Sequence, residues 1–360
     1  MTYITFAILG LGSGAVFAAL ALSLVVTYRS SGVINFATGA IALYVAYSYA
    51  YLRNGYFLNP LPFMKTSITL PFTPGFWVAL LMALAEAGII GMGLYLLVFR
   101  HLRSAPVVAK AVASLGILVI FQNLLAQKVG TSPVTTAAIF PSGVVTIDGT
   151  NVRVAVLLLA ATIVAVTILL WLFFRYTRFG LATRAVAESE KGALVTGLSP
   201  ERIGLANWAI STMVAGLAGI LIAPIIPLVP VSYTLYVVPA LAAALIAGLS
   251  SLPVAVAAGL FIGAADSVIA YVQSDQSISW LTIAAASSLV PLALIMIYLV
   301  FRGRPLPARG ALILQTLGRA PRPRTPLLTL VLGAVVGVVV LLATTGNVRF
   351  SIETSMIFAV

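Results

Sequence analysis

The sequence predicts an all-helical protein that crosses a membrane many times. Of its 360 residues, 61% are hydrophobic and only 8% are charged, whereas soluble domains contain roughly 25% charged residues. The apolar residues form continuous runs of about 20, which is the length that an α-helix needs to cross a bilayer. Strands of a membrane barrel would instead show alternating hydrophobicity. We therefore expect about nine transmembrane helices in one unit and one further helix after a basic linker.

The apolar runs place these helices in order along the chain. The first run carries no charge, the third contains Glu86, and the eighth contains Asp266. The nine spans are predicted at residues 3–27, 33–52, 72–98, 107–127, 154–174, 203–223, 235–249, 253–272 and 281–301. Together they predict one transmembrane domain over residues 1–301.

The remainder of the chain has a different composition. Residues 302–326 form a basic, proline-rich linker with six arginines, which we expect to lie in the cytoplasm. Residues 327–360 then begin a second transmembrane unit, in which residues 327–345 are long enough to cross the bilayer. The apolar run that resumes at Met356 is too short to cross again, so we expect the natural polypeptide to continue past Val360.

Basic residues predict the orientation of the spans. Fifteen of the twenty Lys and Arg residues fall in the loops on one side of the predicted bundle, and such an excess marks the cytoplasmic side. This orientation places the N-terminus outside and the loop 175–202 in the cytoplasm. It also requires the short segment 235–249 to cross the bilayer, because a re-entrant segment would break the alternation of the spans.

The loop 175–202 is the most polar segment of the first unit. Gly180 to Thr196 is predicted to form a short helix, and Ser199-Pro200-Glu201 is a start signal for the next one. A short helix between two spans is suited to receive force from a separate soluble partner. The equally weighted alternative is a solvated loop whose charges anchor the neighbouring spans.

Small residues recur at spacings that allow helices to pack closely. Gly10 with Gly14, and Gly259 with Gly263, each form a G-x-x-x-G pair. We expect these glycines to lie at helix–helix contacts, either within the subunit or between two subunits.

Three places put polar groups into or beside the bilayer. Glu86 lies in the middle of a span and Asp266 lies nearer the outer end of another, and each either faces a cavity or is a neutral, paired structural group. Asn35, between Gly32 and Gly39, indicates a loosened helix turn that exposes backbone groups to a solute. The alternative for Asn35 is a cap at the start of the second helix.

The same sequence argues against several functions. It contains no cysteine and one histidine, which excludes disulfides, thiolate metal sites and histidine-rich metal or haem sites. It has no G-x-x-x-x-G-K-[ST] motif, so we expect no ATP hydrolysis by this chain and no cofactor or metal within it. The net charge of +12 reflects the cytoplasmic bias of a membrane protein rather than binding to nucleic acid.

Several motifs together resemble those of LivH-type permeases, the membrane subunits of ABC importers for branched-chain amino acids. The resemblance covers about residues 5–301 and rests on residues 28–39 (YRSSGVINFATG), 99–106 (FRHLRSAP), 113–116 (ASLG), 177–180 (TRFG), Arg184, Ala185, Gly197 and 215–219 (AGLAG). Thr38 stands where many members have His or Gln, and the turn 248–253 (GLSSLP) lacks a second glycine. The tail from residue 327 resembles the start of the companion LivM-type permease.

The resemblance implies a permease that works by alternating access in a bacterial or archaeal plasma membrane. It implies ATP-binding cassette subunits that use the ATP, a second permease subunit or fused half, and an extracytoplasmic solute-binding protein. The cytoplasmic loop then becomes a coupling segment that contacts the ATPase through Arg178, Gly180, Arg184, Ala185, Glu188, Glu190 and Gly197. The solute path is assigned to Gly32, Asn35, Gly39 and Glu86.

The residues also leave a second hypothesis open. A stand-alone, ion-coupled transporter or channel would use Glu86 or Asp266 as its coupling carboxylate. A membrane scaffold that does not transport a solute is a third hypothesis. Dependence on ATP separates the first two hypotheses.

Overall fold

The computed structural model of the protein is built from α-helices joined by loops. It describes residues 3–60, 66–103, 105–130, 133–141, 143–147, 150–229, 232–274 and 286–302. The helices are α1 (Tyr3–Leu9), α2 (Leu11–Ser31), α3 (Thr38–Arg53), α4 (Phe76–Leu94, continued by a π-helical turn Tyr95–Phe99), α5 (Val107–Val129), α6 (Val154–Tyr176), α7 (Arg178–Glu188), α8 (Glu190–Val195), α9 (Pro200–Ile222), α10 (Ser232–Leu235), α11 (Val237–Ile246), α12 (Leu252–Ser274) and α13 (Ala286–Arg302). The strands are β1 (Tyr56–Leu58), β2 (Ser67–Thr69), β3 (Val144–Ile147) and β4 (Thr150–Arg153), and they pair as two antiparallel hairpins, β1 with β2 and β3 with β4.

This architecture confirms the predicted fold class, an all-helical polytopic membrane protein. Within the described residues, six helices are long and apolar enough to cross a bilayer: α2, α4 with its π-helical turn, α5, α6, α9 and α12. The hairpins lie in loops and close no sheet. The predicted linker 302–326, apart from Arg302, and the predicted span 327–345 lie outside the described residues.

Three predicted spans differ from the structure. The first is divided at Gly10 into α1 and α2, and α2 continues to Ser31. The second begins at Thr38 rather than at Val33, because residues 32–37 form an irregular turn between α2 and α3. The segment 235–249 contains α11, which has only ten residues. At 1.5 Å per residue α11 covers about half of the hydrocarbon core, so this segment does not form a full-length span.

Helix α2 lies at the centre of the bundle. Every residue from 14 to 27 is buried, and α2 packs against α9, α11 and α12. A helix that is hydrophobic on all sides is suited to the interior of a bundle, where other helices surround it. Helices α5 and α6 lie at the periphery instead, where they expose Val119, Ile120, Ile168 and Leu169.

The contact between α2 and α12 is a close approach of two backbones. A Cβ added at Gly14 would lie 2.9 Å from the Leu260 Cα atom, and one added at Gly10 would lie 2.8 Å from the Ala264 Cα atom. A Cβ added at Gly259 or Gly263 would meet the backbone of α2. The two G-x-x-x-G pairs of the sequence therefore face each other, and any side chain there must push the helices apart.

We predict that Gly263→Ala lowers the stability of the protein, because the added methyl group would meet the backbone of Gly14. Overpacking of this kind costs about 1–3 kcal/mol. Gly116→Ala is the matched control, since a Cβ there has no heavy atom within 4 Å. Thermal unfolding of both variants in detergent checks the prediction, and equal midpoints for Gly263→Ala and the control would contradict it.

Candidate functional site

One end of the bundle carries a polar platform, which we define as helices α7 and α8. Thr177 caps α7 by accepting a hydrogen bond from the Gly180 amide at 3.1 Å, and Ser189 caps α8 by accepting one from the Gly192 amide at 3.0 Å. The predicted helix between Gly180 and Thr196 is thus two helices, because Ser189 adopts an extended backbone between them. We call this end, which also carries Arg100 and Arg103, the basic end.

The platform is fixed to the end of α6. Arg184 donates hydrogen bonds to the carbonyl oxygens of Phe174 and Arg175, at 2.7 Å and 3.4 Å. Such bonds satisfy carbonyls that the last turn of a helix leaves without partners. Gly180 lies so close to Phe174 that a Cβ there would overlap its backbone. The sequence-predicted residues Gly180 and Arg184 therefore set the angle between α6 and α7.

A second attachment joins the platform to α9. The Asn207 side-chain amide is fully buried and donates hydrogen bonds to the Thr183 hydroxyl at 3.1 Å and to the Ile203 carbonyl at 2.8 Å. Val186 and Ala193 bury their side chains against Ile203. Asn207 was absent from the sequence-based predictions, and its only signal was an amide inside an apolar span.

Two ion pairs hold the loop after α4, one to the platform and one to α9. Arg103 lies 3.0 Å from Glu190, at the start of α8, and Arg100 lies 3.0 Å from Glu201, in the first turn of α9. All four side chains are partly exposed, so each pair adds little stability but restricts orientation. Glu190 is therefore engaged within the chain, whereas Glu188 is exposed on the surface of the platform.

The outer surface of the platform mixes charged and apolar side chains. Leu194 is 60% exposed and Val195 is 89% exposed, next to the exposed Lys191 and Gly197. Ala185 and Arg178 complete the predicted set, with Ala185 partly buried and Arg178 exposed. Exposed apolar side chains beside charges at the polar end of a membrane protein are typical of a protein–protein contact.

The turn between α2 and α3 is held by its own side chains and by α5. Gly32 ends α2 in a left-handed conformation with φ 66°, which favours glycine. The Asn35 side-chain oxygen accepts a hydrogen bond from the Ala37 amide at 3.1 Å, and the Thr38 hydroxyl donates to the Asn35 carbonyl at 2.6 Å. Asn35 is thus a local cap within the turn, and Gly39 is buried in the first turn of α3.

Ser114 of α5 holds the same turn from the other side. Its hydroxyl accepts a hydrogen bond from the Phe36 amide at 3.2 Å and lies 3.3 Å from the Ile34 carbonyl. These contacts satisfy backbone groups that a buried irregular turn would otherwise leave without partners. In the sequence Ser114 is only one residue of the ASLG motif, and its role in holding the turn between α2 and α3 is visible only in the fold.

Glu86 is enclosed by α3. Its carboxyl group accepts hydrogen bonds from the hydroxyls of Tyr44, at 2.8 Å, and Ser48, and the Tyr44 hydroxyl also lies 3.2 Å from the Leu58 carbonyl. The residue is only 7% exposed, and among the described residues no basic side chain forms an ion pair with it. Glu86 thus joins α4 to α3, and Tyr44 extends the contact to β1. The two partner hydroxyls lie about two to three helical turns along α3 from the turn that contains Asn35.

Asp266 lies apart from this cluster. It is half-buried on α12, and no ion pair to it is present in the described part of the chain. A separate hydroxyl cluster joins α2 to α9, where Ser23 and Thr27 both bond the Ser211 hydroxyl. Hydrogen bonds of this kind between transmembrane helices contribute about 0.6–2 kcal/mol each.

The bundle of long apolar helices with a polar helical platform at one end defines a polytopic α-helical membrane protein. Residues 6–299 match the model of the family described as branched-chain amino acid transport system / permease component, and the chain belongs to this family.

Individual relatives agree with this assignment. The chain is 26% identical over 265 residues to the high-affinity branched-chain amino acid transport system permease protein LivH of Salmonella typhimurium, covering 72% of this chain and 83% of the relative. It is 29% identical to the probable LivH permease of Methanocaldococcus jannaschii (70% and 76% covered) and 24% identical to the BraD permease of Pseudomonas aeruginosa (82% and 94% covered). No solved structure matches the chain significantly.

We predict that Glu86→Gln keeps the fold whereas Glu86→Leu destabilises it. Glutamine retains the volume and an acceptor for Tyr44 or Ser48, while leucine leaves both buried hydroxyls without this partner, at a cost of about 1–3 kcal/mol. Thermal unfolding in detergent distinguishes the two variants. If glutamine preserves stability but abolishes transport, the carboxyl group itself is needed, as the ion-coupled hypothesis requires.

Proposed function

We propose that the protein is the transmembrane permease subunit of an ABC importer, which moves branched-chain amino acids or a related small solute inward by alternating access. The observation that carries the proposal is the family match over residues 6–299. It is supported by a platform braced against α6, α9 and the loop after α4 in a chain that lacks a phosphate-binding loop for ATP.

In this proposal the basic end faces the cytoplasm and the N-terminus lies outside. The excess of arginine and lysine at that end supports the orientation. The partners are ATP-binding cassette subunits that hydrolyse ATP, a second permease subunit or fused half, and an extracytoplasmic solute-binding protein. The membrane is a bacterial or archaeal plasma membrane.

The exposed part of the platform is the contact that we assign to the ATPase subunit. Leu194 and Val195 offer apolar area, and Arg178, Glu188 and Lys191 surround it with charge. Glu190 braces the platform from within through Arg103. Charge reversal at both Glu188 and Glu190 therefore tests surface contact and internal bracing together, whereas changes at Val195 test the surface alone.

The proposed function is tested by uptake of a labelled branched-chain amino acid into vesicles that contain the assembled complex. We expect uptake to require ATP and the ATPase subunit and to persist when ion gradients are collapsed. Uptake by the isolated chain, driven by a proton or sodium gradient, would support the ion-coupled alternative with Glu86 or Asp266.

We predict that Val195→Asp weakens association with the ATPase subunit and lowers ATP-driven uptake. The substitution replaces an apolar anchor of the contact with a carboxylate that is costly to bury. A loss of about 1.4 kcal/mol in binding free energy corresponds to tenfold weaker binding. Val144→Asp is the matched control, since Val144 is also exposed but lies in β3, at the other end of α6. Subunit co-purification provides the measurement, and equal behaviour of the two variants would refute the assignment.

We predict that Asn35→Leu lowers transport more than it lowers the yield of folded protein. Leucine removes the acceptor for the Ala37 amide in the turn that borders the assigned solute path. Asn35→Ser is the companion variant, because serine keeps a side-chain oxygen for the same turn but lacks the amide. A parallel loss of transport and yield in Asn35→Leu, with full activity in Asn35→Ser, would limit Asn35 to capping.

A further inference from the structure

The outer face of α6 and α12 carries an apolar groove that the proposed transport function does not use. Its volume is about 330 Å³, and it opens to the surroundings of the bundle. The lining consists of Val164, Thr167, Ile168, Trp171, Pro253, Val256, Ala257 and Leu260. The hydroxyl of Thr167 donates to the Ile163 carbonyl at 2.6 Å, so it is already satisfied and the described lining suits a hydrocarbon.

The groove ends at a cation. Trp171 lines it, and the Arg175 guanidinium lies over the Trp171 ring at 4.9 Å from the ring centroid. Arg175 is exposed at the basic end, one turn of α6 beyond Trp171. Stacking on the indole and the neighbouring Tyr176 ring, at 5.7 Å, orients the guanidinium without neutralising it.

No carboxylate offsets this charge in the part of the chain that the structure describes. The ion pairs found there join Arg100 to Glu201 and Arg103 to Glu190, away from Arg175. A guanidinium binds phosphate oxygens well because its N–H groups match them in pairs. Anionic headgroups are concentrated at the cytoplasmic surface of membranes, where basic residues attract them.

We propose that this groove binds one anionic phospholipid, with an acyl chain between α6 and α12 and the phosphate at Arg175. The combination of lining and charge favours a lipid, because an apolar groove that leads to a guanidinium matches an acyl chain that carries a phosphate. Val164 to Trp171 spans about 10 Å of α6, so the groove follows α6 for about two turns on its way to Arg175.

The proposal is tested by native mass spectrometry of the full chain after reconstitution in vesicles of equal parts phosphatidylglycerol and phosphatidylcholine. We expect the wild-type protein to retain phosphatidylglycerol about fivefold over phosphatidylcholine, the ratio that one arginine near a membrane surface provides. Arg175→Gln should remove the preference because the phosphate loses its partner. Ala257→Trp should lower retention of both lipids because the indole fills the groove.

Two matched controls keep this result specific. Arg202→Gln removes a charge from an exposed arginine at the same end, and Val254→Trp adds an indole to an exposed α12 residue outside the lining. Both should retain lipid as the wild-type protein does. Lipid preference that is absent in the wild-type protein, or that is lost equally in Arg202→Gln, would overturn the proposal.

A second measurement distinguishes lipid from a partner helix. The chain contains no cysteine, so Ile168→Cys introduces a single thiol into the groove. In membranes that hold the assembled complex, a lipid-soluble maleimide should label this thiol, because acyl chains exchange. Protection from the reagent in the complex, together with labelling of the isolated chain, would assign the groove to a neighbouring subunit instead.

Discussion

The close approach of helix backbones at glycine is the constraint on which the bundle depends. A bilayer is as apolar as leucine, so helices inside it gain nothing from hiding apolar surface and associate through tight packing and hydrogen bonds. Gly10 and Gly14 admit the backbone of α12 to α2, and Gly219 admits the carbonyl of Ala42 to α9. Because α2 contacts α9, α11 and α12, its position fixes that of the other helices around it.

Polar contacts attach the platform to the transmembrane helices. Ser23, Thr27 and Ser211 bond α2 to α9 in the interior, and Asn207 extends the attachment to α7 through Thr183. The hydroxyls and the Asn207 amide nitrogen are buried, and each finds its partner within the protein. The platform is therefore attached by geometry that the transmembrane helices impose, and its own short helices do not need to be stable alone.

The helical class and most spans could be predicted because apolar runs of about 20 residues have one physical solution in a bilayer. The start of α3 could not, since it depends on Ser114, some 80 residues away, satisfying the turn. The length of α11 was also hidden, because an apolar run does not show where a helix stops. The enclosure of Glu86 by Tyr44 and Ser48 required the register of α3 against α4, and the partner of Glu190 required the loop after α4 to fold back onto α8.

The distribution of rigid and irregular segments determines where the permease can bend. Arg184 fixes α7 to α6, and Asn207 fixes it to α9, so a force on the platform acts on both helices together. Helix α2 follows α9 because the hydroxyls of Ser23 and Ser211 and the buried interface join them. Helix α3 is held by α9 as well, because Gly219 admits the Ala42 carbonyl to α9. The irregular turn at residues 32–37 therefore joins two helices that share α9 as a neighbour. A force that reaches α9 is passed to α2 and α3 together and is not taken up at the turn between them.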